Sequence, residues 1–355
     1  MRRRMDIEAI TESRIRAARQ SFVTRRVDRS ALRGLRRDSG PVAGDLALAR
    51  VRALGHHTRL QAATGRRIRL FPGDEIIVAF GHRYAPQQFE ALVPPALAVC
   101  HLVASGGVAA QAICWHHRIH GPTEIEPLGL LADAAGRVVN LRDWALPRVA
   151  TVSRRPGVVI AVAGTSMDAG KTTTAAHFVR GLCRAGFAVG AAKITGTGAC
   201  NDIEHLTDAG ASPVLDFTDA GHVSTHRLDT ESLIQIGDRL LDELGRCRTD
   251  VAVIEIADGL AQAETAALLA TDWSRRTFDG VVFCAGDALG ADAGIRWLRD
   301  RGHRPLGIGG LLTAAPLSVR ETSCLVPDVP VLDLASLSDS AVAARLIRQR
   351  RAAVA

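Results

Sequence analysis

The sequence predicts an α/β protein, a doubly wound and mainly parallel sheet preceded by a β-rich, barrel-like domain. Three observations carry this prediction. From Gly157 onward, apolar runs alternate with helical patterns in a strand–helix rhythm. Several of those runs are almost continuously apolar, as parallel strands covered on both faces must be. Between Pro41 and residue 148, by contrast, short apolar runs follow one another across Gly, Pro and Asp with no long helix between them, the pattern of turn-linked strands.

Taken in order, residues 1–40 read as an Arg-rich helical arm, helical over 6–36. Residues 1–37 hold 12 arginines against four acids, a balance of +8, so the rest of a chain of net charge +7 is near −1. Such an arm is either a solvated helix or a contact for an acidic partner or RNA. No aromatic platform or recognised nucleic-acid motif accompanies it, which argues against a nucleic-acid partner. Residues 41–148 form the β-rich domain through runs such as "GDLALARV", "RRIRLFPGDEIIVAFGHRY" and "GGVAAQAICWHH". A linker follows over 149–157, bracketed by Pro147 and Pro156.

The doubly wound domain spans 158–350. Its strands are expected at 158–163, 187–194, 213–217, 250–257, 280–285, 305–310 and 330–333. Its helices are expected at 171–185, 202–210, 230–245, 260–271, 289–302 and 336–350. A chain of 355 residues is long enough for two buried cores. Seven scattered cysteines with no C-x-x-C pair point to reduced thiols in a cytoplasm. Met1 leads into RRRMDIEAITESR with no apolar signal segment, and no run approaches the ~20 apolar residues that span a bilayer. A soluble protein without a membrane partner is expected.

The chemistry concentrates at residues 164–172, GTSMDAGKT, directly after the first strand of this domain. A standard P-loop reads G-x-x-x-x-G-K-[ST], whereas here five residues separate Gly164 from Gly170. Counted strictly, Thr165 holds the first glycine position. The half that acts on phosphate, Gly170-Lys171-Thr172, is intact and opens a helix, so backbone amides and the helix N-terminus would face phosphate oxygens. Gly164, Thr165, Asp168, Ala169, Gly170, Lys171, Thr172 and Thr173 are the candidate nucleotide-binding residues. Lys171 would neutralise the β and γ phosphates, and the Thr172 hydroxyl would bind Mg²⁺. Of 44 basic residues only Lys171 and Lys193 are lysine. Both fall beside this domain's early strands, where a compact ammonium suits what a planar guanidinium does not.

The G-T-x-x-x-x-G-K-T form, with its extra residue, resembles dethiobiotin synthetase and its P-loop relatives. "GAAKITGTGACNDIEHL" is similar to that family's lysine after the second strand, its Gly/Ser loop and the aspartate of the next helix. "VIEIADGL" is similar to its E-G-A-G-G stretch. The resemblance implies a P-loop NTPase fold, Mg²⁺ and ATP as cofactors, and a dimer. It implies metal ligation by Thr172, Asp202 and Glu255, with Lys193 facing a small carbamate or carboxylate substrate. The catalytic set is then Lys171, Lys193, Glu255 and Asp258, the last standing where the family has a small residue, as a Mg²⁺ ligand, a base or a cap. The implied reaction is ATP-dependent ligation through γ-phosphoryl transfer. The segment also resembles the DUF1611 family, some of whose members are N-acyltransferases, and molybdopterin-guanine dinucleotide accessory GTP-binding proteins. A nucleotide-operated switch moving loops 195–201 and 216–228, or a CoA-dependent acyltransferase, are therefore alternatives. GTP remains open, although with two lysines in the chain no N-K-x-D base motif is present.

Weaker sites complete the reading. Asp216, Asp219, His222, Ser224 and Thr225 follow the third strand and form a candidate substrate or switch loop. His116, His117 and His120 lie near Cys114, but without a second pair at structural-zinc spacing they read as strand histidines. Tyr84 lies in a shaped loop of the β-rich domain.

Overall fold

The computed structural model describes residues 7–147 and 155–348. The chain divides into two compact units. One is Met1–Pro147 joined by Thr197–Asn201 and Phe217–Arg227, and the other is Arg148–Gly196, Asp202–Asp216 and Leu228–Ala355. The linker expected at 149–157 lies mostly at 148–154, outside the described residues.

The second unit is a six-stranded sheet of β1 (Val158–Gly164), β2 (Val189–Thr195), β3 (Val214–Asp216), β4 (Val251–Ile256), β5 (Gly280–Cys284) and β6 (Pro305–Gly309). The strands lie in the order β3-β2-β4-β1-β5-β6 and every pairing is parallel. This is the doubly wound α/β architecture expected from the strand–helix rhythm. The first helix, α1 (Lys171–Arg184), shows how sequence sets position. Ala175, Phe178, Val179 and Leu182 recur at helical spacing and are fully buried against β1 and β4. Each large one contributes roughly 1.5–3 kcal/mol of burial. Gly186, two residues past the helix, takes φ +87 and closes it, donating its amide to Cys183 O at 3.0 Å.

The remaining helices are α2 (Asn201–Asp208), α3 (Thr230–Arg246), α4 (Ala263–Leu269), α5 (Asp272–Thr277), α6 (Ala288–Asp300), α7 (Pro316–Leu325), α8 (Leu334–Ser338) and α9 (Ser340–Arg348). Three differences from the sequence reading have local causes. Residues 330–333 contribute one bridge, Val331 with Ile308, rather than a strand, and Pro330 has no amide to donate. The helix expected at 336–350 breaks at Asp339, whose carboxylate accepts from the amides of Ala341 and Val342 at 2.9 Å and so starts α9 anew. Helix α7, not anticipated, opens with Pro316 in its first turn, where proline's fixed φ is helical and its missing amide costs nothing.

The first unit corrects two expectations. Residues 6–36 are not a helical arm. Among the described residues one short α-helix, Glu12–Ala17, and two 3-10 turns, Phe22–Thr24 and Arg29–Ala31, alternate with strands Ile7–Ala9, Arg19–Gln20 and Gly34–Arg36. The reason is burial: Ile15, Ala18, Val23, Val27, Leu32 and Leu35 join the core of the sheet itself. The arginines between them pair inside the unit, Arg14 with Glu75 at 2.8 Å, Arg19 with Asp74 at 3.1 Å and Arg25 with Asp219 at 2.8 Å. Nor is the ten-stranded sheet as a whole a barrel. Its path runs from Ile7–Ala9 at one end to Arg83–Tyr84 at the other, with Arg19–Gln20 paired off that path, while Cys100–Ala104 pairs with both Val108–Trp115 and Thr123–Ala132 and so closes a five-strand ring within the sheet. Along Leu46–Ala53 and Glu75–Phe80 alternate residues enter two separate apolar clusters, so both faces are covered.

Acid should unfold this protein through its histidines. His57 is pulled down to about 3 by burial, then by the charges of Arg83 and His56. His56, His82, His101 and His303 are also lowered, each chiefly by burial. A histidine whose folded pKa is depressed stays neutral in the native state while the unfolded chain takes up the proton. The stability it contributes is complete above about pH 6.5 and is lost as the pH falls toward about 3. The midpoint of urea unfolding, followed by far-UV circular dichroism, is therefore expected to be lower at pH 5 than at pH 7.5. His57→Gln should flatten that difference, and an unchanged slope would contradict the assignment.

Candidate nucleotide site

A parallel sheet delivers the loops at its strand C-termini to one edge. The loop from Thr165 to Gly170 joins β1 to α1 at that edge. Two of its residues are left-handed, Asp168 at φ +62 and Gly170 at φ +89. At Gly170 a Cβ would also press on Gly310 Cα at 3.1 Å. The loop is braced on three sides by backbone. Thr165 N donates to Cys284 O at 2.9 Å after β5, and Leu311 N donates to Ala169 O at 3.1 Å after β6. After β4, Gly259 approaches so closely that a Cβ there would lie 2.2 Å from Thr165 O. The first-turn amides of α1 have no intrahelical acceptor and, with the helix dipole, offer an anion site. Thr173 and Asp168 are exposed beside it, while Gly164 and Ala169 are buried.

Lys171, the first residue of α1, is 6% exposed, and its ammonium donates to Ser166 O at 2.6 Å. Burial lowers its pKa, Glu255 counteracts this, and Lys193 adds to it. Next to it a polar cluster forms from four elements, α1, β2, β4 and α2. Thr172 Oγ1 donates to Asp202 Oδ1 at 3.2 Å or Glu255 Oε1 at 3.1 Å. The Lys193 ammonium bonds Asp202 and lies 3.4 Å from Glu255 Oε1. Strand register explains the convergence. Lys193 on β2 pairs with Glu255 on β4 and with Asp216 on β3, placing all three in one row. Asp202 enters from α2. Asp258, just past β4, lies close enough for its charge to act on both lysines.

Glu255 is the most constrained member, 2% exposed, with Oε2 buried and lacking a hydrogen-bond partner. Burial pushes its carboxyl above the ordinary range against the pull of Lys193. Asp202, although buried, is held below its ordinary value by Lys193 and Thr172. Lys193 in turn is raised: burial opposes its charge, but Asp202 and then Glu255 outweigh it. The ammonium thus satisfies one carboxylate well and leaves the other short of positive charge. Hard oxygens on Thr172, Asp202 and Glu255, with one carboxylate oxygen unpartnered, fit a Mg²⁺ ion that completes its shell with phosphate and water. Cys284, at the end of β5, is pushed up to about 12 by burial and stays a neutral thiol.

The structure brings together Lys171, Thr172, Lys193, Asp202, Glu255 and Asp258, with Asp216 in the same strand row. It does not bring Asp219, His222, Ser224 and Thr225 into this unit. They belong to Phe217–Arg227, which folds with the N-terminal unit. There Asp219 pairs with Arg25 at 2.8 Å and Arg26 at 3.6 Å, and Ser224 Oγ donates to His82 O at 2.5 Å. Sequence reading missed the bracing backbone, namely Ser166 O, Gly259 and the Gly310-Leu311 turn. The only signal for it was glycine directly after strands.

The sheet order, the strand–loop–helix at β1 and the site residues define an α/β domain of the P-loop class. No family model matches the sequence, and no curated protein matches it. Among solved structures it is similar to HypB from Helicobacter pylori in complex with nickel, at 14% identity and TM-score 0.36, over 55% of this chain and 88% of that one. It is also similar to the signal recognition particle receptor FtsY from Elizabethkingia anophelis, at 16% identity and TM-score 0.36, over 49% of this chain and 57% of that one. Likeness at this level carries no functional inference. Among the described residues no helix is long and apolar enough to cross a membrane.

Proposed function

We propose that this chain binds a nucleoside triphosphate with Mg²⁺ at the P-loop, cleaves its terminal phosphoryl bond, and uses the cycle as a switch. The observation that carries this is the unpartnered Oε2 of buried Glu255 within the Thr172–Asp202–Lys193 cluster, beside the P-loop lysine. Mg²⁺, when bound, supplies the charge that polarises the terminal phosphoryl group. The chain's own contribution is positional. The loop amides orient the phosphates, Lys171 neutralises them, and Thr172, Asp202 and Glu255 hold the ion. The switch element is argued from connectivity. The chain re-enters the α/β unit at Asp202 and leaves it again directly after Asp216, so a change in how either residue is held is passed along the chain to a segment that folds elsewhere.

A second reading, transfer to a carboxylate or carbamate acceptor, is favoured by Lys193. A second ammonium beside Lys171 could stabilise charge developing on an acceptor oxygen. Thermal unfolding with ATP or GTP, each with and without Mg²⁺, tests the common core. Ligand at 100 times its Kd should stabilise the protein by about 2.7 kcal/mol. No stabilisation by either nucleotide with Mg²⁺ would sink both readings. Phosphate release that requires an added small carboxylate would select the second.

A further inference from the structure

Residues 51–73 contain five arginines and no acid. The antiparallel hairpin Arg59–Gln61 and Arg67–Arg69 lies at their centre, with Arg59 directly opposite Arg69 and Gln61 opposite Arg67. Its inner side is set by Leu60 and Leu70, both fully buried. Its outer side carries Arg59, Arg67 and Arg69, all exposed, and then Phe71 at 54% exposure. Arg67 and Arg69 follow the two-residue period of the strand and stand ~6.6 Å apart, and Phe71 follows two residues later at the start of the turn to Asp74, whose amide donates to Phe71 O at 3.0 Å.

Like charges directly opposite across a strand pair are destabilising. Elsewhere the same unit pairs many of its arginines with acids: Arg14 and Arg50 on Glu75, Arg19 on Asp74, Arg25 and Arg26 on Asp219, Arg36 on Asp38, Arg37 on Glu8. Arg52, Arg59, Arg66 and Arg69 make no ion pair among the described residues, and Arg67 bonds only the neutral amide oxygen of Asn201, at 2.7 Å. Phe71 and Trp115 are the two exposed large aromatics among the described residues, and Phe71 stands at the end of this arginine row. A basic face whose arginines lack acidic partners, with an exposed aromatic beside it, has the chemistry that tracks a phosphate backbone and stacks a base.

We propose that this hairpin is a docking surface for single-stranded nucleic acid, read through its backbone rather than its sequence. An acidic peptide would match the charges but leaves the exposed phenyl ring without a role. The surface needs neither the nucleotide nor the metal of the P-loop.

The test is fluorescence anisotropy of a labelled 20-nucleotide oligouridylate with the full chain, at 50 mM and 200 mM salt. Binding should be measurable at the lower salt and fall steeply at the higher. Arg59→Gln with Arg69→Gln should weaken it at least about tenfold while raising the thermal midpoint, because the like-charge opposition is gone. Phe71→Ala should weaken it about fivefold or more with the same salt slope. Lys171→Ala should bind the oligonucleotide as the parent does. The proposal is overturned by absence of binding at 50 mM salt, or by arginine variants that bind normally. It is equally overturned if Phe71→Ala is silent and oligoglutamate competes as well as the RNA, which would make this an acidic-protein surface.

Discussion

Lys171→Ala is expected to abolish nucleotide binding while leaving the protein folded. The ammonium is almost fully buried at the mouth of the P-loop and is fixed there by a single bond to Ser166 O at 2.6 Å. Burial already disfavours its charge, so an arriving phosphate gains a poorly compensated cation. A charge-assisted contact of this kind contributes about 3 kcal/mol, which corresponds to at least a hundredfold in Kd. Calorimetric titration of ATP and GTP into the variant measures the loss, and circular dichroism confirms the fold. Lys171→Arg should not rescue binding. The ammonium end is buried and seated on Ser166 O at 2.6 Å, a place that suits a compact point charge and not a planar fork. A variant that binds nucleotide within a few-fold of the parent would remove the P-loop from the reading.

What the sequence disclosed of this site follows from how local each contribution is. Gly170-Lys171-Thr172 is legible because the strand, the loop and the helix start are contiguous. The approach of Glu255 to Lys193 is not legible, since it requires β4 to insert between β2 and β1. The resemblance of "VIEIADGL" and "GAAKITGTG" to known motifs supplied those residues where periodicity could not. The N-terminal arm was misread because arginine is a good helix former, and the ion pairs that hold Arg14 in a short helix, Arg19 in a short strand and Arg25 in a turn come from residues 55 to 194 positions away. The basic hairpin was hidden by arithmetic. Summed over residues 38–355 the charge is near −1, and that sum averages Arg52 to Arg69 against the acids of the α/β unit. Charge on a surface is local, so a total over three hundred residues says little about any one face.

Lys193→Ala separates binding from turnover, and its effect on stability reveals what the lysine replaces. The Lys193 ammonium bonds Asp202 and lies 3.4 Å from Glu255 Oε1. Its removal leaves a carboxylate that is 2% exposed beside a second one, with Lys171 as the remaining nearby cation acting on Glu255. Breaking a buried pair by deleting one partner costs several kcal/mol. Because Asp202 keeps 21% side-chain exposure, the expected loss is about 3 kcal/mol, toward the low end of that range. Mg²⁺ with nucleotide should narrow the gap to the parent, since a divalent ion supplies the charge the alanine lacks. Nucleotide affinity should stay within a few-fold of the parent because Lys171 and the loop amides are untouched. Turnover should fall by about a hundredfold or more, as when a preorganised charge-stabilising donor is removed. Urea unfolding with and without Mg²⁺–nucleotide, together with phosphate release, reads all three quantities. Normal turnover would show that Lys193 only fills the carboxylate pair in the resting protein. A stability loss that Mg²⁺ fails to repair would place the metal somewhere other than between Asp202 and Glu255.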